Sequence, residues 1–251
     1  MKVQLEHNDK RYTADLSNPI DLSIPVREYG DNPNCYYAEP VVFETIRAGT
    51  FVGSVAEGGS VNYQSLTITP HGNGTHTECY GHIADDGATL NQCLKTFHFV
   101  AQLITLPATS ASNGDTIITV DDFEEKYIRE GAEAVIIRTL PNTDDKKLRK
   151  YSGTNPCYLD SEITAILTED GVKHLLVDLP SVDREVDGGA LKAHRAFWDM
   201  EGIIRKDCTI SELIFVDNDI PDGTYLLNLQ ITSLEMDASP SKPVLFKMEE
   251  Y

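Results

Sequence analysis

The sequence predicts an α/β fold with at least some parallel strand pairing. Two segments share one design, in which an acidic, helix-prone stretch ends in glycine and is followed by a short β-rich run. The first unit is a helix over 120–131 with a strand over 134–138, and the second is a helix over 160–171 with a strand over 174–178. Acidic residues suit the start of a helix and glycine its end, and alternation of helices with strands is typical of α/β sheets.

The segments before the first unit are less regular. Residues 1–40 are predicted to be irregular, because Pro19 and Pro25 interrupt the apolar pieces and residues 27–40 are rich in Gly, Asn and Pro. Residues 61–70 alternate apolar and polar side chains, which predicts a strand that leads directly into a histidine-rich segment.

The remaining chain adds core strands and one polar excursion. Residues 97–106 predict a buried strand, and residues 223–232 predict a long core strand near the end. The polar run 142–150 predicts a charged surface excursion between the two helix–strand units. No internal repeat or domain boundary is evident, so we expect residues 1–251 to form a single domain.

Composition and charge exclude several classes of function. The chain has 41% hydrophobic and 24% charged residues, an ordinary balance for a folded protein. A formal net charge of −19 repels phosphate backbones and anionic lipid, which disfavours nucleic-acid and membrane binding. The first ten residues lack the apolar core of a secretory signal. Because the cysteines are widely spaced with no C-x-x-C pair, we expect reduced thiols and a cytoplasmic location. The five cysteines are Cys35, Cys79, Cys93, Cys157 and Cys208.

The chemistry is concentrated in the segment His71-Gly-Asn-Gly-Thr-His-Thr-Glu-Cys-Tyr-Gly-His82. Three histidines, His71, His76 and His82, fall within twelve residues together with Glu78. Imidazole nitrogens and carboxylate oxygens suit zinc, manganese or iron. In an extended chain His76 and Glu78 point the same way and can reach one ion from one side. The segment therefore predicts a metal site, the alternative being a metal-free histidine-rich surface loop.

A hydrolytic metal needs further ligands from elsewhere in the chain. His194 is the best distant candidate, on a short helix after a glycine pair within 188–198. Glu212 is a lone carboxylate in an apolar run, and composition alone does not separate it from a surface glutamate on an edge strand.

These residues resemble those of the cyclase-like amidohydrolase family, which includes bacterial-type kynurenine formamidases and isatin hydrolases. The family hallmark H-x-G-T-H-x-D-x-P-x-H is similar to the run from Gly74 to His82. Other landmarks follow in order over nearly the whole chain: Asp21-Leu-Ser23, Asp178-Leu-Pro-Ser-Val-Asp183, His194, Glu212 and Asp237-Ala-Ser-Pro240. The chain departs from the hallmark in three places, since His71 lies five rather than four residues before His76, and Glu78 and Tyr80 replace an aspartate and a proline.

The resemblance implies both a fold and a set of roles. It implies a compact swivelling β/β/α domain with a central barrel-like mixed sheet, usually in a homodimer or homotetramer. It implies that His76 and Glu78, with His71, bind a first divalent metal, and that Glu78, His194 and Glu212 hold a second if two ions are present. Zinc is the first choice and manganese the second, and His82 is the implied catalytic acid/base.

The implied activity is hydrolysis of a formamide or small cyclic amide by metal-activated water, as in an arylformamidase. Two alternatives stay open: ring opening of the isatin-hydrolase type, and a non-catalytic metal-binding or ligand-binding protein on the same scaffold. A Cys79–His82 nucleophile is conceivable, but a small residue lining the metal loop is the simpler interpretation of Cys79. A serine hydrolase is disfavoured because no G-x-S-x-G segment occurs.

Overall fold

The computed structural model describes residues 1–28, 30–129 and 131–251. Within them the strands are β1 Lys2–His7, β2 Lys10–Asp15, β3 Ile20–Asp21, β4 Val42–Thr45, β5 Arg47–Ala48, β6 Phe51–Val52, β7 Gln64–Thr67, β8 His76–Cys79, β9 His98–Pro107, β10 Thr109–Ser110, β11 Thr116–Ile118, β12 Ala134–Leu140, β13 Tyr158–Leu159, β14 His174–Val177, β15 Thr209–Glu212, β16 Gly223–Ile231 and β17 Ala238–Glu250. The α-helices are α1 Pro70–Asn73, α2 Leu90–Cys93, α3 Val120–Lys126, α4 Ser161–Glu169 and α5 Lys192–Phe197. Short 3₁₀ turns lie at Val55–Glu57, Tyr80–His82 and Asp144–Lys147.

Seven strands close into a barrel-like mixed sheet. The order is β17-β16-β9-β12-β14-β15-β8, and β8 pairs back onto β17. The run β9-β12-β14-β15 is parallel, as the helix–strand units predict, and the other pairings around the ring are antiparallel. The predicted α/β class with a central barrel-like mixed sheet is therefore confirmed.

Alternation along the parallel strands divides the core into two layers. Ala134 and Ile136 of β12 join one buried cluster with side chains from the other barrel strands. Val135 and Ile137 of the same strand join a second cluster with α3, α4 and α5. Because neighbouring side chains on a strand point to opposite faces, one layer fills the barrel and the other lies beneath the helices.

The two helix–strand units form where the sequence predicts them, with shorter helices. α3 is capped by the Thr119 hydroxyl, which accepts from the Asp122 N–H, and α4 is capped by Asp160, which accepts from the Glu162 N–H. The first helix was predicted to run to residue 131 but ends at Lys126, and Glu130 lies outside the described residues. A helix ends where the next backbone N–H groups bond to acceptors outside the helix. A sequence pattern locates that point only to within a few residues.

The prediction of irregular structure over 1–40 is wrong for β1, β2 and the short strand β3, which pairs with β17. β1 and β2 form an antiparallel hairpin, and β2 pairs with the end of β17. Asn8 and Asp9 make the two-residue turn with φ of 50° and 60°. Asn and Asp tolerate this left-handed conformation, which matches the twist of a hairpin.

Two further predictions need correction. The strand predicted over 61–70 is limited to β7, which pairs with β4 in a separate two-stranded sheet. The helix α1, which carries His71, lies between β7 and His76. The run 142–150 is not wholly a surface excursion, because Asn142 and Lys146 are buried. The Lys146 ammonium donates to Asp178 Oδ2 at 2.8 Å, and this ion pair explains how a lysine is tolerated there.

No helix in the described ranges is long and apolar enough to cross a bilayer.

Candidate metal centre

Two neighbouring strands supply three of the predicted ligands. His76 and Glu78 lie two residues apart on β8 and share one face of the sheet. Glu212 ends β15 directly opposite His76 in the antiparallel register, so the two side chains are cross-strand neighbours. β15 is buried between β14 and β8, so Glu212 is not the edge-strand surface glutamate that its sequence context allowed.

His194 comes from α5, which lies against the same face of the sheet. Asp183 holds the start of this helix: its carboxylate accepts from the backbone N–H groups of Ala193 and His194 at 2.8 and 3.1 Å. The same carboxylate lies 2.6 Å from His194 Nδ1, which turns Nε2 towards the strands. The backbone N–H of Val182 donates to Glu212 Oε1 at 3.1 Å. The loop that contains Val182 and Asp183 therefore positions both Glu212 on β15 and His194 on α5.

His71 reaches the cluster from the one-turn helix α1. Its Nδ1 lies 3.0 Å from Glu78 Oε2. Gly72, which occupies the place of the family histidine, packs against the segment 35–38 so closely that a Cβ would lie 2.3 Å from the Ala38 Cβ. The position that the family pattern assigns to histidine therefore has no room for a side chain, and the helical turn delivers the imidazole from position 71 instead.

The five predicted ligand side chains converge around two carboxylates. Glu78 Oε1 lies 3.0 Å from His194 Nε2, while its Oε2 faces His71. Glu212 Oε2 lies 3.4 Å from His76 Nε2, and its Oε1 lies 3.8 Å from His194 Nε2. Ligand atoms of His71, His76 and Glu78 all lie within 4.8 Å of one another, as cation ligands must.

Each of the three predicted histidine ligands, His71, His76 and His194, has its second ring nitrogen fixed by an acceptor. His76 Nδ1 donates to the Gly74 carbonyl at 3.0 Å, and His194 Nδ1 lies against Asp183. His71 Nε2 lies 2.8 Å from Asp237 Oδ2. Metal-binding histidines almost always have this arrangement, because the outer partner fixes both the tautomer and the ring orientation.

Two buried atoms at the centre, His76 Nε2 and Glu78 Oε2, make no hydrogen bond of good geometry within the described ranges, although Glu212 and His71 lie beside them. An unsatisfied buried polar atom costs about 1–3 kcal/mol, so a bound cation would remove an unfavourable feature. Burial by itself raises the pKa of Glu78, but the charge of His82 and the hydrogen bond from His194 hold it well below the usual value. The residues present therefore fit a divalent metal ion.

The electrostatics of the cluster favour positive charge. Burial lowers the pKa of His71, but the carboxylates of Glu78 and Asp237 outweigh burial and raise it to about 9. The pKa of buried His194 is raised to about 10 in the same way, chiefly by Asp183 and Glu78. An excess of carboxylates stabilises protons on imidazole, and it stabilises a metal cation for the same reason.

His82 occupies the solvent side of the cluster. Its side chain is 32% exposed, whereas Glu78 is 1% exposed and His76 fully buried. Its Nδ1 lies 3.2 Å from Asp237 Oδ2, and its Nε2 lies 3.9 Å from Glu78 Oε2. A small molecule approaching the buried centre from solvent would therefore meet the His82 ring.

All six predicted site residues lie in one cluster, but sequence reasoning gave no role to two carboxylates that fix their rings. Asp183 and Asp237 were noted only as landmarks, because nothing in a single sequence shows which histidine a distant aspartate will contact. Cys79 faces the barrel core, and a hydrogen bond with Cys93 together with burial raises the pKa of its thiol. That environment disfavours Cys79 as a nucleophile.

The sequence matches a known protein family. The family model described as "Putative cyclase" matches residues 14–184, more than half of the chain. The chain belongs to the cyclase family.

Curated relatives of this cyclase-family chain are named kynurenine formamidase. The proteins from Bacillus cereus (strain ATCC 14579) and Bacillus anthracis are each 28% identical over 239 residues, covering 92% of this chain and 95% of the relative.

Solved structures share the cyclase-family fold. A potential metal-dependent hydrolase with cyclase activity superposes with a TM-score of 0.67 at 19% identity, covering 92% of this chain and 98% of that one. An isatin hydrolase bound to the product analogue thioisatinate gives a TM-score of 0.62 at 16% identity, covering 92% and 93%. At these identities the likeness concerns the fold alone.

Proposed function

We propose that the chain is a metal-dependent amidohydrolase that acts on a non-peptide C–N bond, cleaving a formamide or a small cyclic amide as an arylformamidase does. The observation that carries this proposal is the convergence of three imidazoles and two carboxylates, each imidazole with its outer nitrogen fixed by an acceptor. The kynurenine formamidase relatives support the substrate class.

Five side chains would hold the ion or ions: His71, His76, Glu78, His194 and Glu212. A divalent cation bound there would supply Lewis acidity, which polarises a carbonyl group and acidifies water. Zinc is the preferred ion and manganese the alternative, because both accept mixed imidazole and carboxylate donors. One oxygen of the Glu78 carboxylate faces His71 and the other faces His194. The five ligands can therefore hold one ion or two.

His82 would act as the acid and base of the reaction. The oxygen of a water molecule adds to the amide carbonyl carbon, and the water proton passes to the His82 ring. The C–N bond then breaks, and His82 returns the proton to the leaving nitrogen, giving a carboxylic acid and an amine. A histidine suits this task because its ordinary pKa lies near neutrality.

Ring opening of an isatin-like cyclic amide is the second candidate. It uses the same attack on a carbonyl and the same protonation of nitrogen, but the products remain joined. The likeness in fold to the isatin hydrolase with thioisatinate favours including it among the substrates to be tested.

Three broader features belong to the same proposal. Strands from both ends of the chain pair in one sheet, which supports a single domain over residues 1–251. All five cysteines are free, which supports a reducing, cytoplasmic setting. The segment 42–67, here called the arm, exposes several large apolar side chains, which supports association into a homodimer or homotetramer. These side chains are Phe51, Val55, Val61, Tyr63 and Leu66.

The decisive experiment combines elemental analysis with a panel of formamides, lactams and isatin. We expect the purified protein to contain a divalent metal and to hydrolyse at least one panel member, with activity lost to a chelator and restored by zinc or manganese. Glu212→Gln should lower the metal content, because an amide replaces a carboxylate ligand. His82→Ala should keep its metal and lose about 100-fold to 10,000-fold in kcat, the usual contribution of general acid–base catalysis.

Full activity in the metal-free protein would contradict the proposal. Metal bound with no turnover of any panel member would instead favour the non-catalytic alternative, a metal-binding or ligand-binding protein on this scaffold.

A further inference from the structure

Asp237 connects two histidines of the candidate metal centre. Its Oδ2 lies 2.8 Å from His71 Nε2 and 3.2 Å from His82 Nδ1. The Asp237 carbonyl accepts from the Cys79 N–H at 3.0 Å, which joins the residue to the end of β8. Its side chain is 31% exposed, at the boundary between the buried ligands and solvent.

An ionised carboxylate can only accept hydrogen bonds. Asp237 Oδ2 lies within hydrogen-bond distance of both rings, so the carboxylate is the common acceptor for His71 and His82. A neutral His82 ring must then carry its proton on Nδ1, facing Asp237. The unprotonated nitrogen is Nε2, which lies on the side of Glu78.

We infer that Asp237 is a positioning residue for His82: it fixes the tautomer and the ring plane, so that Nε2 is the nitrogen that exchanges protons with water and the leaving amine. This inference rests on the proposed function for the identity of the proton transfer, but the tautomer itself is a property of the protein. An aspartate that orients a general-base histidine acts in the same way in the Ser-His-Asp triad.

Asp237 differs from the other outer carboxylate of the site. Asp183 makes all its described site contacts with α5 and His194, so it serves one ligand. Asp237 Oδ2 serves both His71, a predicted metal ligand, and His82. A test must therefore separate an effect on metal retention from an effect on His82.

The first test reads the tautomer directly. Nitrogen-15 NMR of the His82 ring, assigned with His82→Ala, is recorded in the full chain, both metal-free and zinc-loaded, at a pH where the ring is neutral. We expect the wild-type ring to be protonated at Nδ1 and Asp237→Ala to shift protonation towards Nε2. Glu235→Ala is the matched control, because this carboxylate lies two residues away and binds Thr89 and Asn91 instead.

The second test is kinetic. With metal held at saturation and its content measured, Asp237→Ala should lower kcat by about 10-fold to 100-fold with little change in KM, the usual scale for an outer partner. In the His82→Ala background the same change should have no further effect on kcat, because Asp237 acts on kcat through the His82 ring, which is absent there.

The outcomes are distinguishable from failure of the proposed function. An unchanged His82 tautomer in Asp237→Ala, or an equal loss of kcat in the His82→Ala background, would overturn the positioning role. If the wild-type protein hydrolyses no panel substrate, the proposed function fails, and the NMR comparison with Glu235→Ala still decides the positioning role.

Discussion

Gly72 illustrates how one crowded backbone position can relocate a predicted ligand. Its N–H and carbonyl are both hydrogen-bonded, the latter to the Cys35 N–H at 3.0 Å, so the segment 35–38 lies directly against it. The neighbouring His71 carbonyl accepts from the Cys35 thiol at 3.2 Å. The spacing of five residues between His71 and His76 is thus accommodated by the short helix α1.

We predict that Gly72→Ala lowers stability by about 1–3 kcal/mol, the usual cost of overpacking. The added Cβ would lie 2.3 Å from the Ala38 Cβ and 3.0 Å from the Cys35 carbonyl oxygen, so one segment must move. Urea unfolding and metal content are the measurements, and metal content should fall because His71 moves as well. Adding Ala38→Gly to this variant removes the nearer contact and should restore part of the stability. A double variant that is no more stable than Gly72→Ala alone would argue against this steric explanation.

The sequence located the ligands better than it located their support. His71, His76, Glu78 and His82 are close along the chain, so their spacing alone suggested a shared site. His194 was the best distant candidate from its local sequence, whereas Glu212 was selected only through the family resemblance. The cross-strand pairing of Glu212 with His76 could not be inferred from spacing. The contacts of Asp183 and Asp237 depend on tertiary structure, which no local pattern encodes.

At the level of elements, strong local signals gave correct predictions and weak ones did not. The units around α3 and α4 carry capping residues and glycine ends, and both formed. The β1–β2 hairpin was not predicted, although Asn8-Asp9 lies between two alternating runs. The strands are short, and their main signal is a turn whose two residues have positive φ.

The connection after β12 depends on a buried ion pair. The Lys146 ammonium donates to Asp178 Oδ2 at 2.8 Å and to the Thr139 carbonyl at 2.7 Å, with both charged side chains almost fully buried. The lysine was predicted at the surface because its neighbours in sequence are charged, and a single buried member of a polar run leaves no periodic signal.

We predict that Lys146→Met destabilises the protein by about 3–5 kcal/mol, because it leaves the Asp178 charge buried and unpaired. Lys147→Met is the matched control: that lysine is 35% exposed and pairs with exposed Asp144, so its loss should cost no more than about 1 kcal/mol. Denaturant unfolding measures the free energy of unfolding of both variants. Similar losses in the two would show that the buried ion pair stabilises the protein no more than the exposed one.

At the level of the whole molecule, barrel closure was the least predictable feature. β8 pairs with β15 and β17, partners more than a hundred residues away along the chain. Alternation identifies a strand, but it does not identify the partner, and only the resemblance to the cyclase family indicated a closed sheet.

The arm offers a test of association at the same scale. β4 and β7 pair with each other in a two-stranded sheet, beside a groove of about 850 Å³. Leu66 on β7 is 51% exposed, and burying it against a second copy would remove apolar surface from water.

We predict that Leu66→Glu shifts the protein from an oligomer towards the monomer in light scattering, because a charge is costly to bury in an apolar contact. Ile203→Glu is the matched control, since Ile203 is an aliphatic residue outside the arm and is 86% exposed. A monomeric wild-type protein, or an unchanged mass in Leu66→Glu, would remove the arm from any role in assembly.

The position of β8 in the ring has a mechanical consequence. The predicted ligands sit on α1 and β8 and, more than a hundred residues later in the chain, on α5 and β15. An ion bound by side chains from these segments would crosslink β8 to its neighbour β15 and to α5. Because the five cysteines are all free, this metal crosslink would constrain the fold where other proteins use a disulfide bond. Catalytic competence and the integrity of the closed sheet would then depend on the same atom.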